Sequence, residues 1–358
     1  MGIMTGPSLQ RIALNRNRPY VISKYFLMKR YSAYLLLSSL IIIFISCNTH
    51  PVLQRNNTDF KVVGYLPAGR VDTTSIPFQY LTDINYAFAV PAPDSSGNLL
   101  PVPLPDTLRG LVKAAHDHGV KVFISIGGWN IGDGGGNDTR FEVLANNEAT
   151  RTRFVHSVMN VVRTFDLDGA DIDWEYPDPI EPSSSNYVLL MQQLADSLHP
   201  AEKKLTAAIV SYHDLHGYGI KKEAFRIADW FNIMAYDDDY NTFHGERVPH
   251  APYWLDVRSF DYWVTDRGMP GDKAVMGVPF YGKGKGMGAS YRHLLAEGAN
   301  PYYDVWDSIY YNGIKTMKEK TALALERGAG IMIWEIGGDT TGKYSLLKAI
   351  HDELESKK

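Results

Sequence analysis

The 358-residue sequence predicts one α/β domain, a (β/α)8 TIM barrel without a separate α+β insertion domain, over residues 60–356. Three observations carry this. Short runs rich in Val, Ile, Phe or Tyr recur eight times, mostly bounded by Gly, Pro, Asp or Asn, with amphipathic stretches between them. No linker, short repeat or low-complexity tract divides them. An open doubly wound sheet fits the alternation equally well, but it normally carries a glycine-rich phosphate turn after its first strand, and Gly64-Tyr65-Leu66-Pro67 is not one. Strands that alternate with helices pair in parallel, and eight such units close a barrel of about 250 residues.

In order, the strands are expected at 61–66, 81–89, 121–126, 167–175, 205–211, 230–236, 274–281 and 331–336. Helical spacing of apolar residues marks 108–118, where Leu108, Leu111, Val112 and Ala115 share a face, and then 148–165, 187–198, 313–327 and 344–354. Between Tyr281 and Asn312 there are only about 30 residues, so no separate inserted domain is expected there and the groove at this end of the barrel is expected to be open.

Upstream of the barrel, Lys29 and Arg30 precede an apolar run over 34–45, then Ser46 and the single cysteine, Cys47. A positive start, about a dozen apolar residues and a small residue before the cut describe a signal peptide better than a spanning helix. The Phe44-Ile45-Ser46-Cys47 ending resembles a bacterial lipobox, with Phe44 where Leu is usual, so Cys47 is expected to be lipidated. An uncleaved membrane anchor is the alternative. Met28 offers a normal start for such a signal, so residues 1–47 are expected to be an upstream extension plus a lipoprotein signal, and 48–59 a polar tether containing Pro51. The expected location is the bacterial cell envelope, lipid-anchored.

A net charge of -4 gives no basic field to gather phosphates, which argues against nucleic acid as a partner. One cysteine permits no internal disulfide. The 22 Tyr and 7 Trp suit stacking on sugar faces, although most aromatics in any protein are core. A monomer that uses no cofactor and no metal is expected.

The segment Asp168-Gly169-Ala170-Asp171-Ile172-Asp173-Trp174-Glu175-Tyr176-Pro177 carries the chemistry. Alternate side chains of a strand share a face, so Asp171, Asp173 and Glu175 point one way while Ile172 and Trp174 point under the outer helices. The acids then climb toward the C-terminal mouth, where barrel active sites sit. Carboxylates about 6.5 Å apart cannot all stay ionised in a dry site, so at least one pKa must rise and a proton becomes available to donate. Without a histidine or second acidic cluster at ligand spacing, a metal site is the weaker reading.

This segment matches the D-x-x-D-x-D-x-E signature of glycoside hydrolase family 18, the chitinases and endo-β-N-acetylglucosaminidases. Ser125-Ile126-Gly127-Gly128-Trp129, Met234-Ala235-Tyr236-Asp237, Gly277-Val278-Pro279-Phe280-Tyr281-Gly282 and Gly330-Ile331-Met332-Ile333-Trp334-Glu335 resemble the family's third-, sixth-, seventh- and eighth-strand motifs, in its order. The resemblance implies cleavage of chitin or another N-acetylglucosamine-containing oligosaccharide, with the sugar's own 2-acetamido oxygen as nucleophile.

Carried over residue by residue, it implies that Glu175 protonates the leaving oxygen and later activates water. Asp173 would orient the acetamido group, and Asp171 would hold Asp173 and share its proton. Tyr236 would donate to the acetamido oxygen, Asp237 would bind the bent sugar, and Trp334 would form its floor. Trp129, Tyr65, Phe88 and Met234 would line the cleft. Asp168 and Ser125 are framework residues, and Gly127 and Gly128 allow a close approach of substrate or neighbouring strand.

The run Gly132-Asp133-Gly134-Gly135-Gly136-Asn137 lacks a following Lys-Ser or Lys-Thr pair and is expected to be a loop beside the cleft; His213 and His216 are expected to be loop residues. The rival functions are an endo-β-N-acetylglucosaminidase acting on N-glycan cores and a non-catalytic chitin-binding lectin. A lectin of this kind typically replaces the acid, and Glu175 is present.

Overall fold

A computed structural model describes residues 59–358, apart from 71, 95, 132–135, 213, 239–248 and 285–286. The expected leader, Cys47, the tether and His213 therefore lie outside the described residues, as does most of the glycine-rich run.

Eight parallel strands close the barrel in the order β1 (Lys61–Pro67), β2 (Asp83–Ala89), β3 (Lys121–Gly127), β4 (Gly169–Asp173), β5 (Lys204–Val210), β6 (Trp230–Met234), β7 (Ala274–Pro279) and β12 (Gly330–Trp334), the last pairing back to β1. Buried runs rather than clean alternation mark these strands, because both faces of a parallel sheet are covered. Val62, Ile84, Ile124, Ile172 and Ile331 face the helical layer, while Val63, Tyr65, Phe123, Trp230, Val275 and Met332 fill the barrel interior.

The helices are α1 (Pro105–Asp117), α2 (Thr139–Ala145), α3 (Glu148–Thr164), α4 (Ser183–Leu198), α5 (Asp214–Gly219), α6 (Ala224–Ile227), α7 (Tyr253–Phe260), α8 (Tyr291–Ala296), α9 (Ile314–Arg327) and α10 (Leu346–Ser356). Helix α1 starts with Pro105 in its first turn, where the missing amide hydrogen costs nothing, and buries Leu108, Leu111, Val112 and Ala115. Asn147 and Ser345 cap α3 and α10 with their side-chain oxygens.

At the N-terminal rim the same clasp appears twice. Asp168, before β4, accepts from the Val122 amide at 2.8 Å and pairs with His116 at 2.8 Å. Asp229, before β6, accepts from the Leu205 amide at 2.9 Å and pairs with Lys204 at 2.8 Å and His199 at 3.0 Å. Each carboxylate ties a strand to its neighbour and to the end of the preceding helix, so Asp168 is a framework residue at the end of the barrel away from the acids.

Two departures from the expected elements matter for the site. β4 ends at Asp173, so Glu175 stands beyond the last rung of the sheet. The run expected as one strand over 274–281 is broken at Pro279, which has no amide hydrogen for a ladder, and Tyr281 begins a small four-stranded sheet. Its strands are β8 (Tyr281–Gly284), β9 (Met287–Ser290), β10 (Val305–Trp306) and β11 (Ile309–Tyr310), in the order β10-β11-β8-β9. No separate α+β insertion domain was expected between the last two barrel strands, and the residues there form this miniature antiparallel sheet with α8.

Candidate active site

Asp171 is fully buried at the centre of the barrel, and four donors from four strands converge on it. Tyr65 Oη of β1 and Ser125 Oγ of β3 donate to Oδ2 at 2.7 and 2.8 Å. Thr206 Oγ1 of β5 and Asn232 Nδ2 of β6 donate to Oδ1 at 2.6 and 3.1 Å. Burial raises the Asp171 pKa, the four hydrogen bonds oppose it, and the net direction is up. The expected bond from Asp171 to Asp173 is absent: both oxygens of Asp171 are taken by hydroxyls and an amide. What links the two acids is charge.

Asp173 lies one rung higher, 3% exposed, with Oδ1 buried and without a hydrogen-bond partner among the described residues. Burial, then the charges of Glu175 and Asp171, push its pKa well above the carboxylate range. Glu175 is half-buried. Burial raises its pKa to about 7, the Asp237 charge adds to this, and hydrogen bonds from Tyr176 and the Trp129 backbone pull the other way. A carboxylic acid that holds its proton near neutrality is suited to general acid work. Ile172 and Trp174 point outward as expected, and the Trp174 ring stacks on Phe141 at 5.2 Å.

The strand ends around these acids supply the rest. Tyr236 follows β6, with its hydroxyl 3.8 Å from Met332 Sδ, and burial and the neighbouring carboxylates raise its pKa. The hydroxyl therefore stays protonated as a donor. Trp334, at the end of β12, is stacked with Phe88 (5.7 Å between centroids, 23° between planes) and meets Tyr65 edge-on at 5.7 Å. Trp129, after β3, is 50% exposed. Met234 packs against the interior cluster.

Tyr65 does not line the cleft as expected. It is 1% exposed and spends its hydroxyl on Asp171. Gly127 and Gly128 have φ of 116° and 86°, and Gly128 N donates to Asp173 O at 2.8 Å. A Cβ on Gly127 would lie 2.1 Å from the Asp173 carbonyl oxygen, and one on Gly128 2.7 Å from the Phe88 ring. The close approach these glycines permit is that of β4 and the Phe88 ring.

Asp237 has φ of 62°, a left-handed conformation uncommon for a residue with a side chain. Its Oδ1 accepts from Tyr281 Oη at 2.5 Å and pairs with Lys283 Nζ at 2.9 Å and His250 Nδ1 at 3.3 Å. Burial raises its pKa, but the His250 and Tyr281 hydrogen bonds and the Lys283 charge outweigh it and hold the carboxyl below its usual value. His250, Lys283, Thr206 and Asn232 were not singled out in the sequence. Tyr281 and Lys283 stand in or beside the seventh-strand motif, whereas nothing local distinguishes His250, 13 residues after Asp237. His216, expected in a loop, lies in α5 and stacks on Tyr176 at 4.8 Å.

Residues 61–339 match the family described as "Glycosyl hydrolases family 18". Endochitinase 1 of Metarhizium robertsii is 28% identical over 297 residues, 68% of this chain and 67% of that protein. The GH18 chitinase ChiB of Flavobacterium johnsoniae superposes with a TM-score of 0.73 at 29% identity, over 84% of this chain and 95% of that one. A chitinase from Bacteroides thetaiotaomicron gives 0.72 at 26%, over 82% and 96%. With the five strand-end motifs gathered around one mouth and the match spanning the whole barrel, the chain belongs to glycosyl hydrolase family 18.

Proposed function

We propose that the protein hydrolyses β-1,4-linked N-acetylglucosamine chains with retention of configuration, by substrate-assisted catalysis. Substrate assistance is one of the exceptions to the two-carboxylate rule of glycosidases. The observation that carries the reading is the placing of Asp173 and Glu175 on one face of the β4 end, where burial raises both pKa values, that of Glu175 to about 7.

Glu175 gives its proton to the glycosidic oxygen as the bond to the anomeric carbon breaks. The acetamido oxygen of the same sugar attacks that carbon, giving a cyclic oxazolinium ion. Asp173 takes a hydrogen bond from the acetamido N–H and balances the charge that forms there, while the Tyr236 hydroxyl donates to the acetamido oxygen. Asp237 binds the bent sugar over the Trp334 ring. Glu175, now a carboxylate, draws a proton from water, which attacks the anomeric carbon from the face the leaving group left, breaks its bond to the acetamido oxygen and restores the neutral acetamide. Asp171, saturated by four donors, fixes the strand that carries the other two.

Digestion of an N-acetylglucosamine hexamer beside a high-mannose glycoprotein tests the substrate class. Cleavage of the hexamer within the chain, with β-anomeric ends and no action on its 2-hydroxy analogue, supports the reading. Release of the N-glycan alone, or cleavage of the 2-hydroxy analogue, contradicts it. We further propose export and anchoring through a lipid on Cys47, supported by Lys29, Arg30 and the apolar run before it. Radiolabelled palmitate should enter the wild-type protein and not Cys47→Ala.

A further inference from the structure

We propose that the miniature antiparallel sheet belongs to the catalytic apparatus, because it delivers the Lys283 ammonium to Asp237 as a positioning group; this rests on the reading that Glu175 is the acid. Lys283 lies mid-way along β8, paired with Gly288 on one side and Tyr310 on the other, so both neighbouring strands fix its backbone. Its Nζ is 2.9 Å from Asp237 Oδ1, and the Lys283 side chain is 31% exposed. Tyr281, first residue of the same strand, donates to the same oxygen at 2.5 Å. His250 closes the third side: its Nδ1 lies 3.3 Å from Oδ1 and 3.4 Å from the Asp237 amide, and its ring rests on Tyr281 at 5.1 Å.

All three contacts fall on one carboxylate oxygen. Oδ2 takes no hydrogen bond from the described residues, on a side chain 44% exposed. One oxygen is anchored and the other is left for the sugar. The anchor also reaches deeper. The His250 carbonyl accepts from the Asp238 amide at 3.0 Å, and the next carbonyl, Ala251 O, is held by Asn312 Nδ2 at 2.9 Å and Lys320 Nζ at 3.0 Å. The left-handed turn at Asp237 is thus braced from β8, from the segment before α7 and from α9.

The placement of charge gives Lys283 a second consequence. Among the described residues, the titratable groups around Asp237 are Glu175 and Asp173 on the β4 side, Tyr236 on its own strand end, Tyr281 and Lys283 on β8, and His250. The Asp237 charge raises the Glu175 pKa and Lys283 lowers that of Asp237; a positive charge held against Asp237 also offsets the field that Asp237 sends to Glu175. Removing the ammonium should therefore move both limbs of the activity profile to higher pH: the acid limb because Asp237 protonates more readily, the alkaline limb because Glu175 holds its proton longer.

The test is the pH dependence of kcat/KM on the N-acetylglucosamine hexamer for wild type, Lys283→Met, Lys283→Gln and Lys283→Arg, with thermal melting as the check on folding. Both neutral variants should shift the acid limb upward by about 1 pH unit or more, as expected for loss of an opposite charge in contact, and the alkaline limb upward by less, and Arg should return them. In an Asp237→Asn background, Lys283→Met should no longer move the acid limb, because the group that titrates there is gone. Limbs that stay in place while only the plateau falls, or an Arg variant displaced as far as the Met variant, would overturn the role of Lys283. Neither result touches the assignment of Glu175, which fails separately if Glu175→Gln keeps its activity.

Discussion

The Tyr65 hydroxyl donates to Asp171 Oδ2 at 2.7 Å while the same ring meets Trp334 edge-on at 5.7 Å. One buried side chain thus couples the acid ladder of β4 to the aromatic floor on the opposite side of the mouth. A substrate pressing on the floor presses on a surface registered against the carboxylates.

Tyr65→Phe keeps the ring and removes one of the four donors to Asp171. We expect a loss of about 1–3 kcal/mol in urea unfolding, the range for a buried hydrogen bond to an acidic group. Trp334 stacking on Phe88 is untouched, so affinity for oligomers should change less than kcat.

Gly127→Ala and Gly128→Ala separate backbone from side-chain crowding. At Gly127 a methyl would meet the Asp173 carbonyl oxygen, which is locked in the sheet, at a φ of 116°. Strain and overpacking together should cost more than about 2 kcal/mol and disturb Asp173. At Gly128 the obstacle is the Phe88 ring, which can turn. The Gly128 variant should melt closer to wild type and lose substrate affinity through the displaced floor. Equal melting temperatures for the two would contradict this account.

Lys320 and Asp256 form a fully buried ion pair, 2.7 Å apart, between α9 and α7. Burial raises the Asp256 pKa to about 6, against the pull of Lys320. Lys320→Met strands the acid and should cost about 3–5 kcal/mol, while Lys320→Met with Asp256→Leu should recover most of it. Chemical denaturation of both variants checks the pair.

At the N-terminal rim, burial raises the Asp229 pKa, but Lys204, the Leu205 amide and His199 outweigh it and lower the carboxyl below its usual value. A carboxyl lowered on folding contributes stability above its unfolded pKa and loses it as pH falls through the folded one. Asp229→Asn should therefore be less stable than wild type at neutral pH, with the gap closing in strong acid. A gap that is constant with pH would point to packing instead of charge.

The barrel was legible because its strands are short, near-continuous apolar runs with period-two acids in one of them. All eight were expected within about two residues of where they lie, and α1, α3 and α9 nearly end to end. What escaped was short or non-local. α5 and α6 have six and four residues, too few to show a periodicity. The strands β10 and β11 have two residues each. Around the site, Asp171, Asp173, Glu175, Tyr236, Asp237 and Trp334 were visible through the strand-end motifs, since each sits at a fixed place on its strand. Tyr65 was expected one layer too high: its alternation puts it inside the barrel, but only the register with β2 and β12 shows how deep. His250 reaches Asp237 through a turn of the chain, and no spacing rule announces that.

Turnover of Glu175→Gln on the N-acetylglucosamine hexamer, measured under single-turnover conditions with binding followed in parallel, bears most directly on the mechanism. A fall of several orders of magnitude in rate, with the fold intact and the oligomer still bound, is the predicted result. A variant that cleaves within about tenfold of wild type would show that the proton comes from elsewhere.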